Sequence, residues 1–147
     1  MATTINQQPS NDHENCIASH NNVRTQKGCR PLQWHDGLAH EAETYAQRRA
    51  SMNKMQHSGA QGQGENLYMS TGDAPFEQAV QSWLGEEKKY RGEMIGEGNF
   101  AEWGHFTQCL WHGTTHVGMG KAKAQNGSTY IVARYWPQGN MAGERPF

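Results

Sequence analysis

The residues predict an α+β sandwich in which helices cover both faces of a small, mainly antiparallel sheet. Three observations carry that expectation. Apolar stripes of helical period recur in separate segments, strand-like segments lie among and after them, and the last two strands flank Asn126-Gly127, the strongest short hairpin signal in the chain. At 147 residues the chain suits one domain, able to bury roughly 70% of the surface its unfolded form exposes. There is no internal repeat.

Residues 1–12 are rich in Asn, Gln, Thr and Ser with almost nothing to bury, so they read as a flexible arm, and the domain spans residues 13–147. A short first helix starts near Glu14, with Cys16, Ile17, His20, Val23 and Arg24 at helical spacing, and stops before Gly28 and Pro31. Pro31-Leu32-Gln33-Trp34 is an extended connector whose Leu and Trp plug the core. Asp36 is the expected N-cap of helix two, which runs to about Met55 with Leu38, Ala42, Tyr45, Ala46 and Arg49 on its inner face. After a loop punctuated by Gly59, Gly62 and Gly64, Asn66-Leu67-Tyr68-Met69 reads as a brief strand. Asp73 is the expected cap of a third helix, whose Phe76, Ala79, Val80, Trp83 and Leu84 form an i, i+3, i+4, i+7, i+8 stripe. Residues 92–103 read as a surface loop. A short helix then carries Phe106, Leu110 and Trp111 inward, with His105 in its first turn. The hairpin pairs residues 117–124 with 129–136, and the tail from Pro137 is irregular.

Composition excludes several function classes. A formal net charge of -1 and the absence of any long Lys/Arg run provide no basic field for nucleic acid. No apolar run approaches the roughly 20 residues of a transmembrane helix. Only 35% of residues are hydrophobic, so the five Trp, five Tyr and four Phe must supply much of the core. Three cysteines, Cys16, Cys29 and Cys109, are too few and too odd for a disulfide framework and suit a reducing compartment. Gly62-Gln63-Gly64 lacks the third Gly, the following helix and the Lys-Ser/Thr of a phosphate cradle, and His-Glu-x-x-His is absent. Cys109 reads as a small buried hydrophobe rather than a nucleophile, because no adjacent cation would lower its pKa. His112 and His116, four apart but separated by Gly113-Thr114-Thr115, suggest a turn more than a metal pair.

Four separated stretches, in order, resemble the signature of the CAP superfamily, which comprises cysteine-rich secretory proteins, venom allergens and plant pathogenesis-related proteins. They are His20-Asn21-Asn22-Val23-Arg24, Gly64-Glu65-Asn66-Leu67, Gly104-His105-Phe106-Thr107-Gln108-Cys109-Leu110-Trp111, and Tyr130-Ile131-Val132-Ala133-Arg134-Tyr135-Trp136-Pro137-Gln138-Gly139-Asn140. The resemblance implies a three-layer α-β-α sandwich with a cleft lined by His57, Glu65, Glu86 and His105. It also marks His20, Asn21, Arg24, Asn66, Trp111, Tyr135 and Asn140 as scaffold. Ala133 stands where secreted members usually have a disulfide Cys, so the chain looks closest to the cysteine-poor, Golgi-associated-like branch. A cytoplasmic location, or one peripheral to internal membranes, follows as an expectation, and secretion if a leader precedes the chain.

Two imidazoles and two carboxylates can hold Zn²⁺ or another divalent cation, with His57 and His105 as the metal ligands. Buried, hydrogen-bonded histidines and a Glu65 that tethers a loop backbone are the alternative reading of the same residues. On a helical wheel set by Phe76, Val80 and Trp83, Glu87 falls nearer the apolar face than Glu86, whereas the family spacing selects Glu86. The resemblance implies a non-catalytic binding protein for sterol, fatty acid or acidic phospholipid, compatible with peripheral membrane contact and a homodimer. A metal-dependent hydrolase using Glu65 or Glu86 as base, and a pure protein-interaction domain, are the alternatives.

Overall fold

The apolar stripes fold into layers around a four-stranded sheet. In the computed structural model the backbone is described from Ala2 to Phe147 and the side chains from Asp12 onward. The elements run α1 (Ala2–Gln26), β1 (Gln33–Trp34), α2 (Asp36–Met52), β2 (Gly64–Ser70), α3 (Phe76–Leu84), a 3₁₀ segment (Gly85–Lys89), α4 (Phe100–Leu110), β3 (His116–Lys123) and β4 (Thr129–Trp136). Sheet order is β1-β3-β4-β2, with β1 parallel to β3 and the other pairs antiparallel. Helix α2 covers one face, while α1, α3 and α4 pack together on the other. This is the expected α-β-α sandwich.

Its main core lies on the three-helix side. Phe76, Ala79, Val80, Trp83 and Leu84 are all buried there, as their spacing predicts, with Phe106, Leu110, Ile131 and Tyr135 against them. The hairpin also forms as read, Asn126 Oδ1 accepting from Ser128 N at 2.9 Å and Gly127 at φ 91°.

Helix termini depart from the sequence expectations, at α3 because the cap comes from the tertiary fold. Helix α1 runs from Ala2, so no break in secondary structure separates residues 2–12 from the domain. A helix already anchored by packing extends at little cost, since nucleation is its expensive step. Asp12, assigned to the arm, is tied down: its Oδ1 accepts from Phe76 N at 3.1 Å, and its Oδ2 pairs with Lys121 Nζ at 2.7 Å. Asp12, and not Asp73, therefore caps α3; Asp73 instead pairs with Lys123 at the surface. Helix α2 is capped by His35, whose Nδ1 accepts from Leu38 N at 3.1 Å, while Asp36 accepts from Trp34 Nε1. Helix α2 closes earlier than expected, at Met52, with Asn53 left-handed at φ 52°. Helix α4 begins at Phe100, inside the stretch read as loop, so His105 sits beyond its first turn.

Close approach of α2 to the sheet depends on two glycines of β3. A Cβ at Gly118 would lie 2.2 Å from Ala39 N, and one at Gly120 would lie 2.3 Å from Glu43 N. These are backbone atoms of a packed helix and cannot turn aside. Gly118→Ala is therefore expected to cost about 2–3 kcal/mol, as overpacking does, read as a lower urea midpoint. A midpoint equal to the parent would show that α2 slides freely on β3.

Candidate functional site

Two carboxylates organise the cleft, and each reaches a histidine from a different part of the chain. Glu65 enters on β2 with its side chain only 8% exposed. Its Oε1 accepts from His57 Nδ1 and Ser58 N, both at 2.9 Å, and its Oε2 accepts from Ser58 Oγ at 2.8 Å and Arg134 Nε at 2.7 Å. Strand register explains the last contact, since Glu65 and Arg134 stand opposite one another on β2 and β4. Burial works against the charged carboxylate, but the bonds from His57 and Ser58 and the Arg134 charge outweigh it. They hold the Glu65 pKa down to about 2.

Glu86 belongs to the 3₁₀ segment. Its Oε1 accepts from the backbone N–H of His105 at 3.1 Å and of Phe106 at 3.2 Å, and its Oε2 accepts from His105 Nδ1 at 2.7 Å. The choice between Glu86 and Glu87 is thereby decided. Once α3 tightens at Gly85, residues three apart eclipse, so Glu86 takes the inward direction of Trp83. Glu87 points outward to Lys27 at 2.6 Å. The His105 ring stacks on Trp83, with centroids 6.1 Å apart.

His57 and His105 line one cleft of about 320 Å³ together with Glu65, Asn66, Phe100, Ala101, Gly104 and Asn140. Because a carboxylate can only accept, each histidine must donate from Nδ1, and in the neutral ring this leaves the Nε2 lone pair for another partner. Histidines that ligate metals are oriented in this way by a carboxylate behind them. The carboxylates are thus spent on their histidines, which differs from four residues converging on one ion. Among the described residues no group of three or more His, Cys, Asp or Glu side chains has metal-ligand spacing. A cation here would take two imidazoles and otherwise water.

Of the scaffold residues, Asn66 and Asn140 line the cleft, and the others lie outside its lining. Tyr135 and His20 are fully buried, and Asn66 is 1% exposed. His20 Nδ1 donates to Cys16 O at 2.9 Å, so its Nε2 must accept from Tyr135 OH, 2.8 Å away. Asn66 Nδ2 reaches His105 O at 3.1 Å, tying this network to the cleft. Asn21 brackets Leu32, donating to its O at 3.1 Å and accepting from its N at 2.7 Å. Asn140 accepts from Thr107 Oγ1 at 2.7 Å and donates to Gly104 O at 3.0 Å, and Trp111 is 2% exposed.

Such geometry, on such a sheet, matches one family along most of the chain. Residues 17–135 fit the model described as CAP: Cysteine-rich secretory protein family. The chain belongs to the CAP family. This CAP chain is 38% identical to pathogenesis-related leaf protein 4 of Solanum lycopersicum, over 93% of the chain and 84% of that protein. It is 36% identical to the Golgi-associated plant pathogenesis-related protein 1 of Homo sapiens, over 90% and 86%. Among solved structures it resembles NaASP2 with Zn²⁺ at a TM-score of 0.78 and 23% identity, covering 92% of this chain and 84% of that one.

Other sequence readings of this CAP chain separate under the structure. Cys16, Cys29 and Cys109 are free and buried, and burial pushes the Cys109 thiol up to about 12. His112 Nδ1 faces Pro146 O at 3.0 Å, whereas His116 Nδ1 faces Thr115 Oγ1 at 2.7 Å, so the two serve separate contacts. Sequence reasoning assigned no role to Arg134. Its signal was present: an arginine within the run of β4 residues 129–135, all buried, requires a partner.

No helix among the described residues is long and apolar enough to cross a membrane.

Proposed function

We propose that this protein is a non-catalytic binding protein whose His57/His105 cleft takes a divalent cation weakly and whose surface meets a lipid ligand. The carrying observation is that both histidines line one cleft with Nδ1 committed to a carboxylate, leaving Nε2 available. Zn²⁺ is the first ion to test, because neutral imidazole suits it and NaASP2 has been determined with it. Bound there, it would supply a positive centre for an anionic ligand group, with Asn66 and Asn140 beside it.

Commitment of the carboxylates favours binding over hydrolysis. Glu65, held to about 2, is a weak base, and its oxygens already accept from His57, Ser58 and Arg134. Glu86 is engaged by two backbone N–H groups and a ring N–H. Sterol, fatty acid or acidic phospholipid is the ligand class proposed, supported by Phe100 on the cleft rim, 43% exposed, and Met141 next to Asn140, 44% exposed.

Calorimetry with Zn²⁺ and flotation with sterol-containing or acidic phospholipid vesicles, each with and without the ion, test the proposal. The double substitution His57→Ala with His105→Ala is expected to abolish the Zn²⁺ heat while leaving the urea midpoint near the parent. Unchanged Zn²⁺ affinity in the double variant would remove the metal assignment. Absence of vesicle binding in every condition would remove the lipid one.

A further inference from the structure

His57 presents a physical problem. Its side chain is 62% exposed, and it lies in the irregular stretch between α2 and β2, where neither helix nor strand fixes its direction. The anchors that hold it come from α2 and β4. Tyr45 and Arg49 stand four apart on α2, both buried, so their side chains are neighbours. The Arg49 guanidinium lies 5.1 Å from the Tyr45 ring centroid, and the Arg134 guanidinium lies 5.3 Å from the same centroid. One aromatic ring thus contacts two cations.

Each participant also grips a residue beside His57. The Tyr45 hydroxyl donates to Gln56 O, the carbonyl just before His57, and Arg49 Nη1 reaches Gln56 Oε1 at 3.5 Å. Arg134 donates from Nε to Glu65 Oε2, and from Nη1 to Gln63 Oε1 at 3.0 Å. Glu65 in turn holds His57 Nδ1 and Ser58 N. His57 is therefore suspended between Gln56, fixed by Tyr45, and Glu65, fixed by Arg134. Among the described residues Arg49 faces no carboxylate, and its Nε is buried without a hydrogen-bond partner. A buried guanidinium left in that state is costly for folding alone, and its ring and Gln56 contacts account for its place.

We infer that Tyr45 is a positioning residue for His57, its ring bridging Arg49 and Arg134 and its hydroxyl fixing the carbonyl that precedes the imidazole. The inference rests on His57 being a cleft ligand. Tyr45 touches neither ligand nor ion and acts through Gln56 and Arg134.

Tyr45→Phe is the decisive variant, since it keeps the ring and both cation contacts and removes only the hydroxyl. Its urea midpoint should stay close to the parent, whereas its Zn²⁺ affinity should fall about tenfold, the low end for a change behind a metal ligand. Two readouts need no metal. Exchange of the Ser58 amide should accelerate about tenfold as the loop opens more often. The ¹⁵N spectrum of His57 at about pH 8.5, above the usual histidine range, should shift away from the Nδ1–H tautomer. Tyr45→Leu, which also removes the ring, should enlarge both changes. Parent-like Ser58 exchange and His57 tautomer in Tyr45→Phe would overturn the inference. If the parent protein takes up no Zn²⁺, the metal reading fails while these metal-free readouts still decide this one.

Discussion

Arg24→Ala is expected to leave little folded protein at 37 °C. Arg24 is fully buried on α1, and its guanidinium joins segments distant in sequence. Nε donates to Arg30 O at 2.7 Å, Nη1 to Cys109 O at 2.9 Å and to Trp111 O at 3.0 Å, and Nη2 to Thr114 O at 3.0 Å. The carbonyls of Cys109, Trp111 and Thr114 end α4 and lead into β3, while that of Arg30 lies in the connector after α1, so one side chain closes a helix C-terminus that lacks a glycine cap and ties it to that connector. Burial lowers the Arg24 pKa, a sign of how far the group is removed from water. Alanine would take the side-chain donor from all four carbonyls, leaving Trp111 O its bond from Thr114 N at 3.2 Å and the other three without a replacement, and would leave a cavity. At about 1–3 kcal/mol for each buried unsatisfied group, partly relieved by entering water, a loss of roughly 5 kcal/mol is expected. That equals much of the stability of a domain of this size. Lysine should not rescue it, because an ammonium cannot present the planar fork that reaches all four acceptors. Urea unfolding followed by far-UV circular dichroism gives the answer. A loss below about 1 kcal/mol, the net worth of one ordinary hydrogen bond, would mean that the carbonyls find other donors.

Acid sensitivity between about pH 6.5 and 4 is the second large effect. His20 is enclosed between Cys16 O and Tyr135 OH, and burial lowers its pKa from 6.5 to about 4, Arg24 adding to the effect. The native state thus keeps this imidazole neutral, whereas the unfolded chain takes up a proton as the pH falls through 6.5. More protons bind to the unfolded state in this window, so stability must fall with decreasing pH. The loss is complete below the folded pKa and amounts to about 3 kcal/mol, from the free energy of a pKa unit. Glu65 acts at lower pH: its folded pKa near 2 lies below the ordinary 4.5, so its contribution is present above 4.5 and disappears as pH falls through 2. Unfolding midpoints at pH 7 and pH 4.5 should therefore differ, and His20→Gln should lose most of that difference while starting from lower stability. Equal midpoints for the parent protein at both pH values would show that His20 is not held neutral.

These two residues show how the sequence and the fold divide the work. His20 and Arg24 could be placed on the inner side of a first helix from their spacing to Cys16 and Val23, because helical period is a local property. The stripe of α3 and the Asn126-Gly127 hairpin were legible for the same reason: their residues act on neighbours within a few positions. The cleft histidines and Glu65 were found through resemblance to a family, not through local chemistry. No spacing in the sequence states that residue 57 meets residue 65, or that residue 86 meets residue 105.

Tertiary structure decided whatever depends on direction over longer range. Asp12 rather than Asp73 caps α3, because the N–H groups of a helix terminus accept whichever carboxylate the fold brings near. Glu86 rather than Glu87 turns inward, because a change from 3.6 to 3.0 residues per turn reorients the side chains of the Gly85–Lys89 segment. Arg134 meets Glu65 only through strand register, which the sequence of either strand alone does not specify. The chain's own residues determined an α+β sandwich with aromatic core stripes. Where its charges point was settled by packing, since a buried charge must go wherever a partner of opposite sign or a set of hydrogen-bonding groups can be reached.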